Sequence, residues 1–114
     1  MCDKEAIRII AEAGFDAFDY TLCHHGDDSP VYGENYKEHV AELMAVAEQY
    51  HIPCNQAHAH FPTNSWGDEE YNEKAFWKIT RGMEIASMMG AKKDWKRRWM
   101  LWMIISRHLM DYLL

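Results

Sequence analysis

The strongest constraint on the fold of this chain is an alternation of two hydrophobic periods, joined by connections of unequal length. Asp3 to Ala13 (DKEAIRIIAEA) places Ile7, Ile10 and Ala11 on one helical face, and Gly14 follows where a left-handed residue ends a helix. Phe15 to Leu22 (FDAFDYTL) then alternates, with Phe18, Tyr20 and Leu22 on one face and Ala17, Asp19 and Thr21 on the other, which is the period of a strand. Cys23 to Gly33 is dense in turn formers. It leads into a helix over Glu34 to Tyr50, with Tyr36, Val40, Leu43, Met44, Ala47 and Tyr50 at helical spacing. His51-Ile52-Pro53 is a minimal link to a second strand, Cys54 to His60 (CNQAHAH). After a second long loop, Phe61 to Gly67, the acids Asp68, Glu69 and Glu70 suit the positive end of a helix dipole. The third helix runs to Met89 on a stripe of Phe76, Ile79, Met83 and Ala86, with Gly90 as its stop and Gly82 as its weak point.

Helix-to-strand links are short and strand-to-helix loops are long. In βα-repeat folds the loops leaving the carboxyl ends of the strands build the site, so they lengthen, while the opposite turns stay tight to hold the scaffold. The pattern predicts an α/β fold with a parallel sheet, and 114 residues leave room for one small core.

Charge divides the chain. Residues 1–91 carry 6 basic and 16 acidic side chains, and residues 92–114 carry 6 basic and 2 acidic. An acidic body repels a nucleic-acid backbone, so no nucleic-acid partner is expected. Cys2, Cys23 and Cys54 form no CxxC pair, and the amino terminus lacks the pattern of a secretory leader. Both observations fit a reduced, cytoplasmic protein with buried or half-buried thiols.

The stretch QAHAHFPTNSWGDEEYNEKAFWKITRGMEIASMMGAK (Gln56 to Lys92), with AGFDAFDYTL before it, resembles the xylose isomerase-like barrel superfamily in its sugar phosphate isomerase/epimerase branch. The resemblance spans residues 3–92, and its most specific piece is the H-A-x-F-P-T run followed by an acidic helix start. It implies a (β/α)8 TIM barrel that uses a divalent metal to help move protons between neighbouring carbons of a sugar or sugar phosphate. Such a barrel takes about 250 residues. The resemblance begins at the first helix and stops where a fourth strand is due, so residues 1–91 correspond to a partial barrel, expected to be inactive alone.

His58 and His60 lie two apart on the second strand, so one face of an extended strand carries both toward a shared metal ion. By resemblance, His58 falls at a metal-ligand position of the endonuclease IV relatives, and His60 where this branch has proline. The plainer reading of both is a polar histidine at a barrel rim, hydrogen-bonded locally. Asp19 suits an inward position that orients substrate, or else it caps or pairs with a cation. Trp66 either stacks on a sugar ring or packs over the barrel mouth. Of His24 and His25, adjacent in sequence, at most one enters a shared site, and Asp27, Asp28 and Glu34 read as solvated loop acids.

Residues 92–114 (KKDWKRRWMLWMIISRHLMDYLL) hold three of the five tryptophans, a basic cluster and a nearly unbroken apolar run. This helical, apolar tail departs from everything before it. A shifted reading frame explains it. So does an amphipathic helix that self-associates, docks on a partner or lies on a membrane surface, or a cover for open sheet edges. A transmembrane span is not expected, because Arg107, His108 and Asp111 interrupt a run that needs about 20 apolar residues. Three functions therefore stand: a truncated sugar phosphate isomerase/epimerase-like protein, a non-enzymatic oligomeric or partner-binding module, and a small histidine-rich metal-binding protein using His58, His60 and the His24-His25 loop.

Overall fold

The computed structural model describes residues 1–91, and the tail at 92–114 with its several readings lies outside them. The order is α1 (Asp3–Glu12), β1 (Phe18–Thr21), a short 3-10 turn (Pro30–Tyr32), α2 (Tyr36–Gln49), β2 (Cys54–His58) and α3 (Glu69–Met88). The two strands pair in parallel, with Asp19 opposite Gln56, Tyr20 opposite Ala57 and Thr21 opposite His58. The described residues form a small α/β domain of three helices and a two-stranded parallel sheet. The loops at 22–35 and 59–68 are long and the links at 13–17 and 50–53 short, as the sequence predicts.

All three helices end in the same way. Phe15 N–H donates to Ile10 O (3.3 Å), Ile52 N–H to Ala47 O (3.0 Å) and Ala91 N–H to Ala86 O (3.1 Å), the wide closing bond of a Schellman turn. The residue before each donor is left-handed: Gly14 at φ +89°, His51 at +58° and Gly90 at +73°. Glycine takes that conformation freely, whereas a side chain at His51 meets the steric penalty of positive φ. His51→Gly is therefore expected to raise stability by about 0.5–1 kcal/mol, since the relief of the left-handed penalty exceeds the entropy that glycine adds to the unfolded chain. Urea denaturation reads the shift directly, and an unchanged midpoint contradicts it.

The helices cover one face of the sheet. Ile7 of α1, Val40, Leu43 and Ala47 of α2, and Ile85 and Ala86 of α3 join Phe18, Tyr20, Leu22, Cys54 and Ala57 in one buried cluster. Alternation sends Phe18, Tyr20 and Leu22 inward as the sequence suggests. The first strand starts later than expected, though, because Phe15 belongs to the turn that closes α1 and remains 64% exposed.

The third helix is rotated relative to its predicted stripe. Ile79 and Ala86 are buried, but Phe76 is exposed, and the rest of the inward face is Ala75, Lys78, Gly82 and Ile85. A hydropathy stripe cannot anticipate an inward lysine or glycine. Gly82 lies inward where α3 passes so close to Leu22, the residue after β1, that a Cβ there would stand 3.0 Å from Leu22 Cδ1. At the start of α3 the Asp68 carboxylate accepts from Tyr71 N–H at 3.0 Å, which fixes the boundary the acidic run predicts.

Candidate functional site on the polar sheet face

The sheet face away from the helices carries polar groups alone. Asp19 points there from β1, and β2 contributes three side chains because its register slips opposite the Phe18–Asp19 step. Strict alternation would put Gln56 on the same side as Cys54. Instead Cys54 and Ala57 are both buried, and the two residues between them, Asn55 and Gln56, both reach Asp19. Asn55 Nδ2 donates to Asp19 Oδ1 (3.2 Å) and Gln56 Nε2 to Asp19 Oδ2 (2.9 Å). The Gln56 amide also lies 3.0 Å from His58 Nε2, which is itself 3.4 Å from Asp19 Oδ2. The tautomer of His58 sets the role of Nε2: as a lone pair it accepts from Gln56, and as an N–H it donates to Asp19.

Burial works against ionisation of Asp19, but donation from Asn55, Gln56 and His58 outweighs it and holds the carboxyl below the usual aspartate range. The face thus presents an ionised carboxylate, two amides and an imidazole within one hydrogen-bonded network. These groups orient and accept from hydroxyls.

His60 does not extend this network. The strand ends at His58, and His60 is half-buried in the following loop, its Nε2 3.4 Å from the hydroxyl oxygen of Tyr71, which itself donates to Pro62 O (2.6 Å). Its Nδ1 is buried without a hydrogen-bond partner. Trp66 stands 70% exposed in the same loop, free to meet a ring from solvent. His25 turns inward, bonded to Ser29 Oγ at 2.7 Å and against the Tyr20 ring, while His24 is exposed. Asp28 and Glu34 are exposed, whereas Asp27 pairs with Lys74 and Lys78. Cys54 is buried and its thiol is pushed up to about 11 by that burial, Cys23 is half-buried, and Cys2 is exposed rather than buried or half-buried as the sequence suggests.

For a divalent metal, the polar face offers one imidazole nitrogen and one carboxylate oxygen. Among the described residues no group of three or more His, Cys, Asp or Glu side chains is placed to hold an ion. These residues alone do not complete a ligand set. No described helix is long and apolar enough to cross a membrane. Compared with family models, curated proteins and solved structures, the chain matches none.

Burial also lowers the affinity of His25 and His60 for a proton, reinforced at His60 by the nearby Lys78 charge. A histidine with a depressed folded value binds more protons when unfolded. Its contribution to stability is full above the unfolded value of about 6.5 and is lost as pH falls through the folded value. The urea midpoint is expected to fall between about pH 7 and pH 5, before the carboxylates titrate. The His25→Asn, His60→Asn double variant should flatten that slope. A slope of equal size in the double variant removes these histidines as its cause.

Proposed function

We propose that this chain is a sugar phosphate isomerase/epimerase-type βα segment whose polar sheet face binds a polyhydroxyl substrate and which does not turn it over alone. The observation that carries the reading is the convergence of Asp19, Gln56 and His58 on the sheet face left uncovered by the helices. This is the face that lines the interior when such a sheet closes into a barrel. An ionised carboxylate beside two amides suits neighbouring hydroxyls of a sugar. Trp66, on the loop leaving β2, is available to stack on its ring. His58 and Asp19 would supply part of a divalent-metal set, the family's means of polarising the sugar's oxygens. Strands beyond the two described would have to supply the rest.

Neutral pentoses and hexoses titrated into the isotope-labelled chain test this. Perturbed amide resonances are expected at Asp19, Gln56 and His58 and are expected to disappear in Asp19→Asn. Absence of saturable shifts there sinks the binding surface, and metal-dependent epimerisation by the purified chain overturns the inactive segment.

One feature favours the alternative, a self-associating or partner-binding module: among the described residues the sheet has two strands, so each has an outer edge unpaired. Sedimentation decides it, because a strictly monomeric, cooperatively unfolding chain is incompatible with a module completed by a partner.

A further inference from the structure

Lys74 and Lys78 stand one turn apart on α3, and both donate to the carboxylate of Asp27 in the loop that leaves β1. The three side chains differ sharply in environment. Lys78 is 8% exposed and its ammonium sits 4.8 Å from the centre of the Tyr32 ring, whereas Lys74 is 56% and Asp27 59% exposed. A buried ammonium requires a partner. Here that partner is a carboxylate on the solvent side, in an exposed loop segment beside Gly26, with no other side-chain hydrogen bond to hold it among the described residues.

The charges do not balance. Among the described residues Asp27 is the only carboxylate within ion-pair distance of either ammonium, so two cations share one anion. Other groups nearby are committed elsewhere: Arg81 donates to Val31 O and Gly33 O, and the Tyr32 hydroxyl donates to Leu22 O.

We propose that Lys74 and Lys78 form a phosphate-binding site in which Asp27 is the exchangeable occupant. A phosphate dianion brings more charge than a carboxylate, and its oxygens span two ammonium groups one helical turn apart. Asp27 satisfies Lys78 when no anion is present and moves into solvent when one arrives. The acidic balance of the domain repels a polyanion, but a single phosphate responds mainly to charges within a screening length of about 8–10 Å. None of these residues belongs to the Asp19 network, so the proposal stands or fails apart from the sugar-binding reading.

Inorganic phosphate titrated into the full chain at about 0.1 M ionic strength, followed by calorimetry and phosphorus NMR line width, tests the site. Saturable one-to-one binding is expected. Lys74→Ala should weaken it by about tenfold, given that a charge-assisted contact is lost. Lys78→Met, which keeps the buried position filled with an apolar chain of similar length, should abolish it. Asp27→Asn should tighten it by removing the competing carboxylate, an effect that a purely structural ion pair does not produce. Tighter binding of glycerol phosphate than of inorganic phosphate supports the site and identifies an ester as its ligand, while equal affinity supports it with free phosphate as sufficient. Absence of saturable binding to the unaltered chain up to about 10 mM, weaker than a useful millimolar site, overturns the proposal. Binding unchanged in both Lys74→Ala and Asp27→Asn also overturns it, because the anion then sits elsewhere. Lys74 is exposed enough that its substitution reads binding rather than folding.

Discussion

Leu22→Ala is expected to cost about 2–5 kcal/mol of stability, the range for emptying a fully enclosed leucine site. Leu22 is 0% exposed, follows β1 directly and is anchored by its backbone N–H to His58 O at 2.7 Å. Its side chain fills the space against α3 at Gly82. The anchor leaves the backbone little freedom to collapse into the vacated volume, which places the loss in the upper part of that range. Urea denaturation with an unchanged slope and a lowered midpoint is the expected signature. A loss under about 1 kcal/mol would mean that the close contact between Leu22 and α3 is not a main support of the core.

Gly82→Val is expected to be damaging as well, though less so, and for the opposite reason. A methyl group at this position already stands 3.0 Å from Leu22 Cδ1 and 3.9 Å from Ala59 Cβ, so a branched side chain forces α3 away from the sheet. Overpacking of this kind costs about 1–3 kcal/mol, more than the roughly 0.5 kcal/mol of helix propensity gained over glycine. The two substitutions should also compensate each other: the double variant places valine methyls in the volume that Leu22 vacates. It is expected to be more stable than the sum of the single losses by about 1 kcal/mol or more, and additivity in this cycle would show that the two sites do not share that space.

The same contact explains why Gly82 is ambiguous in sequence. In an isolated helix it lowers propensity, and nothing nearby in the chain distinguishes a tolerated defect from a required close approach. Lys78 is ambiguous in the same way. A lysine between Trp77 and Ile79 reads as solvent-facing, and its burial depends on Asp27 and Tyr32, both far away in sequence. Asp19 could be placed on the face opposite Phe18 and Tyr20, but its company could not. Regular alternation turns Gln56 toward the helices, and the slipped register of β2 turns it outward to join Asn55 at the carboxylate. The end of the strand at His58 gives His58 and His60 different neighbours despite their spacing.

What the sequence by itself determined is therefore local. Gly14 and Gly90 end helices because only glycine takes left-handed backbone without penalty, Asp68 starts one by accepting an orphaned N–H, and alternating residues in β1 separate a buried face from a polar one. These effects act within a few residues of each other and leave a readable period. The tertiary structure alone decided which side of α3 faces inward, how closely it approaches Leu22, and which groups surround Asp19 and Lys78. Each of those outcomes depends on packing and electrostatics between segments some 35 to 60 residues apart, where one side chain's environment is set by another that no local pattern announces.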